Sequence, residues 1–195
     1  MSTESSPTTI RARFEATALQ YIESVYGVAL RLTRRPEDAR DLVQETYLRA
    51  YRTFGNFQEG TNCRAWLFTI LYSIFANRYQ KERRQPKLIS VEELEARFDG
   101  AVRGEIPGGP VAEPPQTSVW TDSEVETALA ELPDSFRATV LLVDVEELTY
   151  EETAAALDCP VGTVRSRLSR ARKLLYAALH ATARRRGYLK DTEQG

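Results

Sequence analysis

Between Pro160 and Lys190 the chain carries Arg165, Arg167, Arg170, Arg172, Lys173, Arg184, Arg185, Arg186 and Lys190 without one Asp or Glu, a local charge of +9. Guanidinium forks match phosphate oxygens and the O6/N7 edge of guanine, so the chemistry such a segment could do is recognition of a polyanion, above all duplex DNA. Spacing sharpens this. On a helix of about 100° per residue with Val164 set at zero, Val161, Leu168, Ala171 and Leu175 fall within roughly 60° of it. Gly162, Ser166, Ser169, Arg170 and Lys173 gather on the opposite side, with Thr163 and Arg165 at the margins. A solvated basic face on an ordinary amphipathic helix would look the same, so the elements around it must decide.

Those elements form a tight helical pair. Thr153, Ala154 and Leu157 recur at helical spacing just upstream, and the small side chains of Ala154 and Ala155 allow close approach of a second helix. Asp158-Cys159-Pro160 ends that run, because Pro160 disfavours helical geometry at Cys159 and Asp158 tolerates a left-handed conformation. Tyr150–Lys173 thus has the form of a helix-turn-helix, whose second helix enters the major groove.

The rest of the chain reads as helical. The 195 residues are 42% hydrophobic, which is enough for one or two packed domains. A broad apolar stripe from Ile10 to Thr33 predicts a first helix. Pro36 followed by Glu37 and Asp38 predicts a second, running to Thr53, because proline is tolerated at a helix start and acids favour its dipole. Its Ala39, Leu42, Val43, Thr46 and Ala50 keep core spacing, while Asp41, Gln44, Glu45 and Arg49 face elsewhere. A loop with glycine at both ends, Gly55 to Asn62, leads to an aromatic helix from Cys63 to about Arg84. There Trp66, Leu67, Ile70 and Phe75 read as core. Aromatic rings beside the basic Arg78, Lys81, Arg83 and Arg84 also suit a platform for unstacked bases, and both readings stay open.

From Leu88 to Glu131 ten acids oppose Arg97 and Arg103, a local charge of −8, and GEIPGGPVAEPP has little periodicity. That composition predicts a connector over 86–120, with a short amphipathic piece near Val91 to Phe98. Helices are then expected from Thr121 to Glu131 and from Pro133 onward. Cys63 and Cys159 fit neither metal-ligand nor disulfide spacing, and no cofactor or metal motif is present. A single histidine, His180, and the lack of a glycine-rich phosphate loop leave little for catalysis, so the expectation is a protein that is not an enzyme. No signal peptide or apolar run of spanning length is seen, which predicts a cytoplasmic location.

DARDLVQETYLRAYRTF, AWLFTILYSIFANRYQKERR and LTYEETAAALDCPVGTVRSRLSRARKLL, in that order, resemble regions two and four of bacterial extracytoplasmic-function (ECF) sigma factors of the sigma-70 family. The EGTN-AWL wording and the terminal RGY are most similar to the actinobacterial thiol-oxidative-stress type. Ser73 stands where the family commonly has asparagine, and Asp158 where glycine is frequent. The resemblance implies an all-α fold of two small helical domains, region two over 10–85 and region four over 121–187, joined by the flexible acidic linker. It implies that Asp41, Gln44 and Glu45 bind the β′ clamp helices of RNA polymerase core, which also meets the chain through its β subunit. Phe57, Gln58, Glu59, Gly60, Thr61 and Asn62, with Arg78, Lys81, Arg83 and Arg84, would hold the −10 strand of promoter DNA. Thr163, Arg165, Ser166, Arg167, Ser169, Arg170 and Lys173 would contact the −35 duplex. It further implies an anti-sigma partner and a linker threading the polymerase cleft. The alternative is a helix-turn-helix regulator that is not a sigma factor, which would leave the second and third helices unexplained.

Overall fold

A computed structural model describes residues 7–58, 60–82 and 122–185. The connector over 86–120, the RGY segment, Glu59, Arg83 and Arg84 lie outside the described residues, as does the Lys81 side chain. The described residues contain eight α-helices and no strand: α1 (Pro7–Ala18), α2 (Ile22–Thr33), α3 (Pro36–Thr53), α4 (Cys63–Glu82), α5 (Asp122–Glu131), α6 (Asp134–Val140), α7 (Tyr150–Ala156) and α8 (Val161–Arg185). They fall into two compact units, Met1–Pro86 with Leu141–Arg165, and Lys87–Val140 with Ser166–Gly195.

In the first unit α2 packs on α3, α3 on α4, and α4 on α7. The core comes from stripes at three-four spacing: Val25, Val28, Ala29 and Leu32 on α2, Ala39, Leu42 and Ala50 on α3, and Leu67, Phe68, Leu71 and Phe75 on α4. Truncating a fully buried leucine such as Leu42 to alanine costs about 2–5 kcal/mol. Thr46 is buried among them because its Oγ1 donates to the Leu42 carbonyl at 2.7 Å.

The boundary between α2 and α3 follows from three residues. Arg34 takes a left-handed conformation (φ 63) and its N–H caps the Leu30 carbonyl at 2.7 Å. Arg35 is extended, as the residue before proline must be, and Pro36 opens α3. The expected single helix from Ile10 to Thr33, in contrast, is two. A 3₁₀ turn at Leu19–Tyr21 separates α1 from α2. Side chains hold the carbonyls freed there: Gln20 Nε2 donates to Thr17 O at 3.0 Å, and Tyr47 OH from α3 donates to Ala18 O at 3.1 Å.

In the second unit α5, α6 and the later part of α8 supply Ala128, Leu129, Phe136, Leu168, Ala171, Leu174 and Ala177 to the core. Arg137 is fully buried. It donates to the carbonyls of Ala130 and Leu132 at 3.3 and 3.2 Å and pairs with Asp134, so its guanidinium satisfies the end of α5.

Candidate nucleic-acid interface

The helix-turn-helix begins with a capping box. Thr149 Oγ1 accepts the Glu152 N–H at 3.1 Å, and Glu152 Oε2 accepts the Thr149 N–H at 2.9 Å. α7 ends in a Schellman motif: Cys159 N–H reaches Ala154 O at 3.0 Å, Asp158 N–H reaches Ala155 O at 3.4 Å, and Asp158 is left-handed at φ 49. The role expected of Asp158 in the turn is therefore met. The Thr163 and Val164 N–H groups donate back to Pro160 O at 2.9 and 3.2 Å, which starts α8.

Along α8 the expected division of faces holds. Val164, Leu168 and Ala171 are buried, with Val161 and Leu175 half-buried, and the buried stripe continues through Leu174 and Ala177. Gly162, Arg165, Ser166, Ser169, Arg170 and Lys173 are exposed, and Thr163 and Arg167 are half-buried. Arg165 lies over the Tyr150 ring, 5.8 Å from its centroid, so a cation–π contact orients one proposed base reader.

On α3, Asp41, Gln44, Glu45 and Leu48 are all exposed at three-four spacing, one polar face with an apolar member. Glu45 also pairs with Arg78 of α4 at 3.1 Å, which joins a residue of the expected polymerase face to one of the expected −10 set.

The loop between α3 and α4 is shaped by Gly60 at φ 87, a conformation that side chains resist. Thr61 Oγ1 donates to Gln58 O at 2.7 Å, and Asn62 Oδ1 accepts the Ala65 N–H at 3.2 Å, capping α4. Gln58, Gly60, Thr61 and Asn62 are exposed. Phe57 is half-buried, stacked on Phe54 (5.6 Å, 11°) and tilted against Trp66 (5.0 Å). Of the residues expected as core on α4, Leu67 and Phe75 are buried, whereas Trp66 and Ile70 are half-buried, as is Tyr72.

Several polar contacts were not foreseen. Asn62 Nδ2 donates to Glu152 Oε1 at 2.8 Å, Arg64 pairs with Glu146 at 3.7 Å, and Ser24 Oγ donates to the same Glu146 carboxylate. Burial pushes the Glu152 carboxyl up. Hydrogen bonds from the Thr149 backbone, Asn62 and the Thr149 hydroxyl, with the nearby Arg64 charge, outweigh this and hold it below the ordinary value. A Thr-x-x-Glu spacing ahead of an apolar run signals the capping box in sequence alone, whereas nothing local signals Glu146. Burial also raises the Cys63 thiol and pushes Tyr47 up to about 12.

Residues 18–85 match the family Sigma-70 region 2, and residues 122–175 match Sigma-70, region 4. The chain is 36% identical over 162 residues to ECF RNA polymerase sigma factor EcfG of Rhodopseudomonas palustris, covering 83% of this chain and 82% of that protein. It is 30% identical over 177 residues to RNA polymerase sigma-H factor of Pseudomonas aeruginosa, covering 88% of each. Among solved structures it resembles the sigma factor RpoE in complex with the anti-sigma factor NepR from Bartonella quintana. That likeness has a TM-score of 0.64 and 27% identity, and covers 86% of this chain and 97% of the other. No described helix is long and apolar enough to cross a membrane. With both conserved regions in order along one helical chain, the protein belongs to the ECF sigma factors of the sigma-70 family and is an RNA polymerase sigma factor.

Proposed function

We propose that three surfaces divide the work of promoter-specific initiation. Asp41, Gln44 and Glu45 on α3 dock the chain on the β′ clamp helices, with the β subunit contacted elsewhere. The loop Phe57–Asn62 and the basic residues Arg78, Lys81, Arg83 and Arg84 hold the melted −10 strand. Extruding a base costs a few kcal/mol, which stacking and edge hydrogen bonds must offset. Arg165, Ser166, Ser169 and Arg170 read −35 bases, Thr163 lies at the margin of that face, and Arg167, Arg172 and Lys173 hold phosphates. The observation that carries this reading is that Asp41, Gln44 and Glu45 on α3 and Arg165, Ser166, Ser169 and Arg170 on α8 are exposed, while Leu42, Val43, Val164 and Leu168 between them are buried.

Region two spans 10–85, an acidic connector 86–120 and region four 121–187, a division supported by the family matches over 18–85 and 122–175. The connector's six acids against Lys87, Arg97 and Arg103, a net −3, suit a path through the polymerase cleft, where it stays off DNA. The chain works in the cytoplasm and performs no catalysis of its own. The sigma factor RpoE of Bartonella quintana was crystallised in complex with the anti-sigma factor NepR, which supports an anti-sigma partner here as well. The EGTN-AWL wording supports a place near the thiol-oxidative-stress type, whose signal would be sensed by that partner.

The test is a pull-down with core polymerase using Asp41→Lys, Gln44→Lys and Glu45→Lys together. Core binding is lost while helical circular dichroism and melting are retained. Retained affinity would remove α3 from the docking surface.

A further inference from the structure

Past Arg170 the helix α8 continues for about four more turns, and its outward face keeps the same register. On the wheel with Val164 at zero, Ser169 lies at about 140° and Lys173 at about 180°, while Tyr176 falls at about 120° and His180 at about 160°. Ser169, Lys173, Tyr176 and His180 thus form one strip down the helix. Leu168, Ala171 and Leu174 are buried on the other side. Tyr176 is 53% exposed, more than any other large apolar side chain among the described residues, and Ser169 and Lys173 are exposed with it.

A lone exposed tyrosine is ordinary on a protein surface. This one is paired: its ring centroid lies 5.6 Å from that of His180, with 31° between the ring planes. Its hydroxyl makes no hydrogen bond among the described residues. Both rings stand in a stretch that carries Arg172, Lys173 and further cations without one acid, so the O–H and N–H donors there face an environment suited to an anion. Length decides which anion. At 1.5 Å per residue Tyr176 lies roughly 9 Å and His180 roughly 15 Å beyond Arg170, and the major groove is about 12 Å wide. With the turns of Ser166–Arg170 seated in the groove, the two rings come to its wall, where the sugar–phosphate backbone runs.

We propose that Tyr176 and His180 form a phosphate clasp at the edge of the −35 site. The Tyr176 hydroxyl donates to one backbone phosphate oxygen, and the His180 ring beside it keeps the phenol within reach. The clasp fixes where along the duplex the base readers stand and carries no sequence information of its own. The inference rests on reading α8 as the −35 helix. It adds two residues to the DNA surface, one and a half to two and a half turns beyond Arg170, on the face that Ser169 and Lys173 already mark.

Neutralising one phosphate at a time tests this with reconstituted holoenzyme. Promoter duplexes carry a single methylphosphonate linkage at successive positions around the −35 element. With the wild-type chain, one linkage just beyond the bases read by Arg170 should cost about three- to tenfold in affinity, the range of one exposed hydrogen bond. Tyr176→Phe removes only the hydroxyl. It should weaken binding to the native duplex by the same factor whatever the −35 sequence, and should bind the native duplex and that one neutralised duplex alike. His180→Leu should show a smaller loss at the same linkage, and no loss there overturns the pairing. A Tyr176→Phe holoenzyme with wild-type affinity and wild-type sensitivity at every linkage overturns the clasp. So does a loss that persists undiminished on every neutralised duplex, the result expected if Tyr176 met a protein instead. Arg170→Ala on the same duplexes separates the two failures. If it alters preference at −35 bases, the −35 reading stands and only the clasp falls; if it changes nothing, the −35 reading falls too.

Discussion

Removing the Tyr150 ring should weaken −35 binding slightly at the bases Arg165 reads, whereas removing Arg165 should weaken it strongly at those same bases. The two side chains meet at 5.8 Å from guanidinium carbon to ring centroid, within the range of an exposed cation–π contact worth about 0.5–1 kcal/mol. Tyr150→Leu keeps an apolar residue at the start of α7 and loses only that orientation, so promoter affinity should fall about two- to fivefold. Arg165→Ala loses the readout itself, about 1–3 kcal/mol, or roughly 5- to 150-fold at the bases it reads. The assay is competition binding of reconstituted holoenzyme to a promoter and to each single-base variant of its −35 element. Tyr150→Leu should lower discrimination slightly at the positions Arg165 reads. Arg165→Ala should flatten discrimination at one or two positions. In the Arg165→Ala background Tyr150→Leu should have almost no further effect. Losses of equal size in both variants, or additive losses in the double variant, would refute the orientation argument.

Other outcomes follow from the same contacts. Lys173→Ala should weaken binding to all promoters alike and lower the slope of log K against log salt by about one, while Arg170→Ala acts at specific bases. Thr149→Ala removes half of the capping box and should cost about 0.5–2 kcal/mol in urea unfolding, with Thr149→Ser restoring most of it. The folded Glu152 carboxyl lies below its ordinary 4.5, so its contribution is complete above that value and is lost as pH falls through the lower folded value. Glu152→Gln should therefore lower stability at pH 7 and differ little from wild type at about pH 3. With the Cys63 thiol buried and raised, a thiol reagent at pH 8 should modify Cys159 first and Cys63 only on unfolding; simultaneous reaction would contradict the packing at the start of α4.

What the sequence reveals here is what local chemistry decides. Pro36 and the acids after it mark the start of α3, Asp158 and Pro160 mark the turn, and the three-four spacing of Val164, Leu168 and Ala171 separates the buried face of α8 from its exposed arginines. The exposed face of Asp41, Gln44 and Glu45 is legible for the same reason. Where partners are distant in sequence, the pattern is silent. The break at Leu19–Tyr21 depends on a hydroxyl 29 residues away, and the setting of Glu146 depends on Ser24, 122 residues away. Arg137 reads as a surface cation until the carbonyls of Ala130 and Leu132 are seen to need its donors. Leu174 and Ala177 extend a stripe whose period is visible but whose end is set by packing.

The central claim is that this chain gives RNA polymerase its choice of promoter. Purified chain added to sigma-free core polymerase, with genomic DNA of the source organism as template and 5′ ends mapped, tests it directly. The account predicts discrete starts that appear only with the chain and share aligned −10 and −35 sequences, with the −35 preference altered by Arg170→Ala. Polymerase that starts no differently with the chain than without it would contradict the account.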